Sequence, residues 1–387
     1  MEFGFDFQFK VHRSLSIVHS INTRFIVYRP SLIFMQKRIL GKTDWRLSTI
    51  GFGAIKLPQL SQKECDSLLN RAIDLGINFV DTADCYGDSE EKIGRALNRR
   101  REEFYLSTKI DERDGPGVLK KLERCLRRLK TDRIDLVLFH DVRGSDYERI
   151  FEKDGLDVLE KARGQGKIFQ IGISIHQSIS MMKKAIESGV FSVLMVAYSA
   201  IDEDRLTSDL IPLAHKKEVG VIAMKPLVGG RLAEPLRGWN RKYFKGESPA
   251  QISLRYILTN PHVTCAIPGM TNLKELEENI KVAEDPRDLT PEEIGLFMDW
   301  VGEVGKGFCR NCGYCLPCPE EIPIPDIFRF EGYYERYGMK RWAIEQYRLL
   351  PVKAGHCSAC EECVPRCPYG VAIPKRLREA HQILGVS

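Results

Sequence analysis

The 387-residue chain lacks the features of membrane and nucleic-acid-binding proteins. No apolar run reaches the roughly 20 residues that a membrane-spanning helix requires, so no membrane partner is expected. The net charge of +5 is dispersed, and no long Lys/Arg block alternates with aromatic residues. We therefore expect no groove for nucleic acid. A doubly wound dinucleotide-binding sheet is disfavoured as well, because no G-x-G-x-x-G follows the first predicted strand.

Residues 1–34 lack a helical period, domain-forming turns and the continuous apolar centre of a secretory signal. Their acidic residues Glu2 and Asp6 are not typical of a transit peptide. We interpret this stretch as a non-globular extension ahead of a functional start at Met35, and we expect a cytoplasmic protein.

After this stretch, short apolar runs alternate with amphipathic segments. The predicted strands lie at 49–53, 78–81, 105–109, 136–140, 169–174, 193–197, 221–225 and 265–268. The predicted helices lie at 61–75, 117–130, 149–163, 179–187, 249–259 and 272–282. Near-continuous apolar strands separated by helices predict a covered parallel sheet. Eight such units predict an α/β protein with a (β/α)₈ barrel over residues 35–284, followed by a linker helix within 285–305 and a small C-terminal domain over 306–387.

Polar side chains follow three consecutive barrel strands. Asp81 ends the second strand, Lys109 the third and His140 the fourth, and Tyr86 lies in the loop after the second strand. Side chains at the carboxyl ends of barrel strands converge. A phenol with a pKa of about 10 could exchange a proton with a carbonyl oxygen if a nearby ammonium lowered that pKa. The alternative interpretation is that Asp81 caps the next helix and Tyr86 packs on the loop.

The pattern Asp81-Thr82-Ala83-x-x-Tyr86-Gly87-x-Ser89-Glu90, with Lys109 and His140, resembles the aldo/keto reductase family. The likeness extends from the stretch 38–43 to about residue 282. It implies that Tyr86 is the general acid/base, that Lys109 and Asp81 tune it, and that His140 positions the carbonyl of a small-molecule substrate. It also implies that NADH or NADPH binds in an extended form.

The same resemblance assigns the cofactor contacts. Ser174 would touch the nicotinamide carboxamide, the loop with Lys225, Pro226, Leu227 and Gly229 would hold the pyrophosphate, and Gly269, Glu275, Glu278 and Asn279 would surround the adenosine. The family's usual asparagine and glutamine are replaced by Ile175 and Met195. Gly269 and Glu275 occupy the places where a basic residue would bind a 2′-phosphate. A carboxylate repels phosphate and can accept from a ribose hydroxyl, so the prediction leans to NADH, with NADPH open.

Eight of the twelve cysteines lie in two runs near the C-terminus. Two-residue gaps between cysteines are typical of metal ligands in a reducing compartment. The runs, each ending in Cys-Pro, resemble bacterial two-cluster ferredoxins, in which the last cysteine of each run ligates the other cluster. This resemblance implies one [4Fe–4S] cluster on Cys309, Cys312, Cys315 and Cys367, and another on Cys357, Cys360, Cys363 and Cys318. Zinc is the alternative, since it also uses Cys-x-x-Cys pairs.

We expect an NAD(P)H-dependent oxidoreductase whose clusters exchange electrons with a ferredoxin or flavoprotein partner. Nicotinamides transfer two electrons at a time and clusters transfer one. A flavin, which can do both, therefore stays open as a further cofactor. A barrel can bind a flavin phosphate at the loops after strands seven and eight. Two alternatives are electron transfer without carbonyl reduction, and clusters that only hold the C-terminal lobe over the barrel. The tyrosines between the cysteine runs are expected in the core and Cys85 in packing. His176 is expected in a solvated loop, with a place at the substrate mouth as the alternative.

Overall fold

The computed structural model describes residues 35–176, 178–201, 206–234 and 239–385. The predicted N-terminal extension lies outside these residues. Within them, none of the helices combines the length and the apolar character that crossing a membrane would require.

Most of the strands follow one another around a barrel. The strands are β1 (Lys37–Ile39), β2 (Arg46–Ser48), β3 (Phe52–Gly53), β4 (Phe79–Asp81), β5 (Tyr105–Ile110), β6 (Ile134–Phe139), β7 (Ile168–Ile175), β8 (Val193–Ala197), β9 (Gly220–Met224) and β10 (Val263–Ile267). Strands β3 to β10 pair in parallel in chain order. Parallel bridges from Ile50 to Ala266 and from Gly53 to Gly269 join the chain around β3 to the chain around β10. The predicted (β/α)₈ barrel is confirmed.

Helices cover the outside of the barrel, and three more lie in the described part of the C-terminal domain. They are α1 (Gln62–Asp74), α2 (Ser89–Leu97), α3 (Gly115–Leu129), α4 (Asp146–Glu152), α5 (Gly155–Gly164), α6 (Ile179–Glu187), α7 (Ile211–Lys216), α8 (Pro249–Leu258), α9 (Leu273–Glu284), α10 (Pro291–Gly305), α11 (Ile324–Arg336), α12 (Lys340–Leu349) and α13 (Ile373–Leu384). Short 3₁₀ segments lie at Ala54–Gln59, Asn98–Glu103, Val228–Gly230, Arg241–Phe244 and Ala354–His356, and a π turn lies at Leu206–Leu210.

One helix predicted over 149–163 is two helices, α4 and α5. Asp154 between them has a φ of 59°. A Cβ added to Gly155 would lie 2.1 Å from the carbonyl oxygen of Arg113. The chain thus turns where its backbone meets the loop before α3, a contact that the helical sequence pattern does not contain.

The β1–β2 hairpin closes the base of the barrel. Leu40, Trp45 and Leu47 pack into the barrel interior. The guanidinium of Arg38 donates hydrogen bonds of 2.7–2.8 Å to the carbonyls of Leu258, Asn260 and Val263. These bonds satisfy carbonyl groups around the end of α8 and the start of β10.

Helix α10, which lies in the segment predicted as a linker helix, is part of the barrel's packing. A capping box of Thr290 and Glu293, with Pro291 in the first turn, starts α10. The helix buries Phe297 and Trp300 in an apolar cluster with barrel residues such as Ile252. Helix α10 thus fixes the point from which the chain leaves the barrel.

The C-terminal domain repeats one local structure. Each cysteine run leads through an Ile-Pro pair into a helix, α11 at Ile324 and α13 at Ile373. These helices share a separate apolar core with α12, and Ile55 of the barrel packs against that core. The two cysteine runs are therefore followed by the same local structure. The core that their helices share lies beside the barrel loop at 54–59.

Candidate active site and cysteine clusters

The ends of β4 and β5 bring a carboxylate and an ammonium together. Asp81 Oδ2 lies 2.5 Å from Lys109 Nζ, which also donates to the Thr82 carbonyl at 2.7 Å. Ser107 donates to Asp81 Oδ1 at 3.0 Å. The side chains of Lys109 and Asp81 are 1% and 4% exposed. Such a buried pair is held by mutual compensation, because each charge alone would lack its hydration.

Tyr86 lies over this pair, beside His140. Its ring centroid is 5.2 Å from Lys109 Nζ and 5.8 Å from the His140 ring, which it meets edge-on. Burial raises the pKa of Tyr86 well above its ordinary value, and the Asp81 carboxylate adds to this effect. The sequence led us to expect a lowered pKa. The pKa is raised instead of lowered because the phenol is almost fully buried, and burial favours the uncharged phenol over the phenolate. The Asp81 carboxylate also offsets the positive charge of Lys109.

Two neighbours of His140 were not predicted as site residues. The Asp111 carboxylate lies 2.7 Å from His140 Nδ1, and Cys85 Sγ lies 3.5 Å from the same nitrogen. Asp111 follows directly after β5, so the strand-end rule could have identified it. Burial raises the pKa of Cys85 well above its ordinary value, so this thiol stays protonated and fits the predicted packing role.

The predicted cofactor residues share one cleft with the polar centre. The cleft, about 920 Å³ with its open mouth, is lined by Asp81, Tyr86 and Lys109 at one end. Eight of the nine residues predicted to contact the cofactor also line it: Lys225, Pro226, Leu227, Gly229, Gly269, Glu275, Glu278 and Asn279. They come from the loops after β9 and β10 and from α9, as expected for a groove along the carboxyl ends of barrel strands.

The ninth residue, Ser174, lies at the end of β7, outside the lining of this cleft. It is fully buried, and its hydroxyl oxygen has no hydrogen-bond partner within the described part of the chain. Buried hydroxyls are normally paired. An unpaired hydroxyl beside the barrel mouth fits a site that a ligand amide completes, so the residues present fit a nicotinamide cofactor.

At the adenosine end, Glu275 is held by its own helix start. It accepts hydrogen bonds from the Thr271 backbone N–H at 2.7 Å and from the Thr271 hydroxyl. Its carboxylate therefore stays in the cleft wall. Lys56, which was not predicted, lines the same cleft, and its Cγ would lie 3.6 Å from a Cβ added to Gly269.

Helix α11 of the C-terminal domain lies across the barrel mouth. Its Tyr333 hydroxyl lies 3.2 Å from Lys225 Nζ, and the lysine also lies over the rings of Tyr333 and Tyr337. Both tyrosines belong to the C-terminal core, as expected, and Tyr337 also lines the cofactor cleft. The expectation of a solvated His176 is wrong: its side chain is 6% exposed, and it lines the cleft, which was the alternative.

Ion pairs fasten α11 to the loop after β6. Asp141 binds Arg329 at 3.0 Å, and Arg143 binds Asp326 at 3.0 Å. Asp141 also lies 3.3 Å from His176 Nδ1. The two ion pairs with α11 join residues 188 and 183 positions apart, so no local sequence signal marks them.

Cysteines of the two runs lie together in two groups of four. A small cavity is lined by Cys309, Cys312, Cys315 and Cys367. Burial raises the pKa of Cys363, and the thiols of Cys357, Cys318 and Cys360 add to this effect, so these four also lie together. All eight are free thiols. Two groups of four cysteine sulfurs fit two iron–sulfur clusters.

Two protein-family models match the chain. The model of the aldo/keto reductase family matches residues 49–298, and that of a 4Fe-4S dicluster domain matches residues 308–373. The matched segments correspond to the barrel with α10 and to the domain of the two cysteine runs.

Known proteins agree with these matches. An uncharacterized oxidoreductase of Bacillus subtilis, YqkF, is 32% identical over 298 residues, which are 67% of this chain and 94% of that protein. L-galactose dehydrogenase of Arabidopsis thaliana is 26% identical over 304 residues, which are 70% of this chain and 93% of that enzyme. Among solved structures, the aldo-keto reductase AKR11C1 from Bacillus halodurans has 25% identity and a TM-score of 0.58, over 68% of this chain and 96% of its own.

Proposed function

Because this chain belongs to the aldo/keto reductase family and carries a 4Fe-4S dicluster domain, we propose that it is an NAD(P)H-dependent oxidoreductase that interconverts a carbonyl and an alcohol. The observation that carries this proposal is the placement of Tyr86 in one cleft with the buried Asp81–Lys109 pair and the predicted nucleotide contacts.

Tyr86 moves the proton in this proposal. A bound nicotinamide supplies or takes up a hydride at the substrate carbon. In reduction, the Tyr86 hydroxyl donates its proton to the carbonyl oxygen, and the product is the alcohol. The raised pKa of Tyr86 keeps this hydroxyl protonated, which suits the reductive direction. Lys109 stabilises the phenolate that remains, since its ammonium lies 5.2 Å from the ring centroid.

His140 positions the substrate oxygen. Its Nδ1 is engaged by the Asp111 carboxylate at 2.7 Å, so the opposite nitrogen, Nε2, is left for the substrate. The ring is fixed by that contact and by the edge of Tyr86. A positioned imidazole beside a proton donor is a common arrangement for carbonyl chemistry.

The nucleotide is held along the remainder of the cleft. Ser174 would bind the carboxamide, the loop from Lys225 to Gly229 would hold the pyrophosphate, and Glu278 and Asn279 would hold the adenine. The Glu275 carboxylate in the wall favours a ribose hydroxyl over a 2′-phosphate. We therefore propose a preference for NADH, with NADPH as the second choice.

The dicluster domain adds one-electron chemistry. In the leading form of the proposal, the clusters exchange electrons with a ferredoxin or flavoprotein partner, with a flavin as the carrier between two-electron and one-electron steps. Electron transfer without carbonyl reduction is the alternative that keeps the redox role. The contacts of α11 with Lys225 and Asp141 favour another candidate, clusters that fold the domain and hold α11 over the barrel.

Replacing Tyr86 with phenylalanine tests the catalytic proposal. We expect kcat for NADH-dependent carbonyl reduction to fall by about 10²- to 10⁴-fold, the range for loss of a general acid. The panel includes small aldehydes assayed with NADH and, in view of the Arabidopsis relative, L-galactose assayed for oxidation with NAD⁺. The matched control is Tyr243→Phe, because Tyr243 is 56% exposed on the barrel surface. Carbonyl turnover that survives Tyr86→Phe would show that the proton comes from elsewhere.

A further inference from the structure

A second cavity lies between the barrel mouth and the first cysteine run. Its wall includes His176 and Lys225 from the barrel, Cys309 from the run, and Arg336 and Arg376 from the helices α11 and α13. Five of its lining residues are Lys or Arg, and no Asp or Glu is among the described residues that line it. The Lys and Arg side chains of the cavity wall are thus met by no Asp or Glu among the described residues that line it.

Carboxylates outside the cavity lining pair with only some of these positive side chains. Arg376 pairs with Glu331, and Arg329 shares Asp141 and Asp326 with Arg143. Arg336 forms no ion pair with any carboxylate in the described ranges, and its Nε lacks a hydrogen-bond partner there. Its guanidinium lies over the ring of Phe308.

Neighbouring arginines show how crowded the charge is. Burial lowers the pKa of Arg231, and the guanidiniums of Arg336, Arg376 and Arg310 lower it further. Like charges are held this close only at a cost, which an anion between them offsets.

His176 joins this cavity to the catalytic cleft. It lines both, as do Lys225 and Tyr337. Its ring centroid is 6.5 Å from that of His140. His176 Nδ1 faces Asp141 and Lys225, while its Nε2 is buried without a partner among the described residues. An unpaired buried nitrogen between the two spaces is a group that a ligand can satisfy.

We propose that this cavity binds the anionic group, a carboxylate or a phosphate, of the small molecule whose carbonyl is reduced at Tyr86. The proposal rests on the proposed function and specifies its substrate class: carbonyl compounds with an acidic tail. Lys225 and Arg336 are its principal cations. Arg336 presents a planar fork suited to carboxylate and phosphate, and the tail reaches them past His176.

The test compares two matched pairs of probes on the iron-loaded protein. Glyceraldehyde and glyceraldehyde 3-phosphate are assayed as substrates with NADH, and glycerol and glycerol 3-phosphate are assayed for binding by calorimetry. We expect kcat/KM for the phosphate ester to exceed that for glyceraldehyde by at least about tenfold, and Arg336→Gln to lower that advantage by about 10- to 100-fold. Turnover of glyceraldehyde should stay within about twofold, because Arg336 does not line the catalytic cleft.

The control variant is Arg341→Gln, since Arg341 is 92% exposed on α12; it should leave both substrates unchanged. Equal kcat/KM for the two aldehydes, with no binding of glycerol 3-phosphate, would overturn the proposal. So would equal losses for both substrates in Arg336→Gln, which would make Arg336 a support for α11.

Two further arms separate other sources of negative charge. Binding of flavin mononucleotide, but not riboflavin, in competition with glycerol 3-phosphate would assign the site to a flavin phosphate and overturn the substrate assignment. A shift of the cluster potential in Arg336→Gln without any anion binding would show that the arginine serves only the cluster. Binding of glycerol 3-phosphate that Arg336→Gln abolishes, in a protein without carbonyl turnover, would support the anion site while refuting the proposed function.

Discussion

Asp81 and Lys109 are withdrawn from water together at the base of the cleft. Burial raises the pKa of Asp81, while the Lys109 ammonium and the Ser107 hydroxyl act against that rise. The balance shows that the carboxylate depends on its partner to stay charged. Each charge of the pair therefore stabilises the other, and Tyr86 lies over the pair.

Removing one member of this pair should be costly. We expect Asp81→Asn to destabilise the protein by about 3–5 kcal/mol, because Lys109 is left buried without its counter-charge. The double variant Asp81→Asn/Lys109→Met should be more stable than the single variant. Urea unfolding of the iron-loaded protein, followed by circular dichroism, measures both.

The control for this change is Asp88→Asn. Asp88 pairs with Lys92 at 3.0 Å but is 55% exposed. An exposed pair contributes less than about 1 kcal/mol. If Asp81→Asn cost no more than Asp88→Asn, burial would not be what makes the Asp81–Lys109 pair important.

At the scale of elements, α11 and the loop after β9 meet closely at Gly229. This residue has a φ of 70°, and an added Cβ would lie 2.8 Å from Arg336 Cβ. Glycine is required here for two reasons, the left-handed backbone and the absence of a side chain. The same loop contributes Lys225 and Leu227 to the cofactor cleft, so the docking of α11 and the shape of the cleft are linked.

A methyl group at this position should loosen α11. We expect Gly229→Ala to destabilise the protein by about 1–3 kcal/mol beyond the backbone strain, since Arg336 Cβ cannot move without its helix. Amide hydrogen exchange in α11 should become faster. Gly144→Ala is the matched control, because Gly144 has a φ of 45° and no atom within 4 Å of the added Cβ. If amide hydrogen exchange in α11 were equal in the two variants, the contact between Gly229 and Arg336 would not be what holds α11 in place.

For the whole molecule, the central relation is between the barrel and the cysteine clusters. Cys309 lines the cavity that also borders Lys225 and His176 of the barrel mouth. Cys309, a predicted cluster ligand, therefore borders the same cavity as the barrel mouth, together with Tyr333 and Tyr337. Such proximity is the structural condition for electron exchange between the two domains.

Reduced nucleotide should consequently bleach the clusters. We expect the visible absorbance of the iron-loaded protein to fall when NADH is added under anaerobic conditions without a carbonyl, and to fall less with NADPH. Iron-depleted protein is the control for nucleotide absorbance and binding. Binding of both nucleotides without any bleaching would leave the clusters with the structural role, holding α11 over the barrel.

Local patterns in the sequence were sufficient for much of the architecture. The strand–helix alternation predicted the confirmed barrel, with most element boundaries within about three residues, because burial on both faces of a parallel strand leaves a continuous apolar run. The cysteine spacing predicted the dicluster domain, because cluster ligation requires thiolates at short, fixed intervals. The strand-end rule also located Asp81, Tyr86, Lys109 and His140, whose roles stay predictions.

Only the tertiary structure decided how the two domains meet. The burial of His176, the contacts of Lys225 with Tyr333 and the pairing of Asp141 with Arg329 each join residues far apart in the chain. The raised pKa of Tyr86 depends on the same enclosure. Such long-range contacts have no period and no motif, because they result from two surfaces fitting after each has folded. The sequence alone therefore determined which chemical groups the protein carries, and the docking of α11 determined which of them face each other.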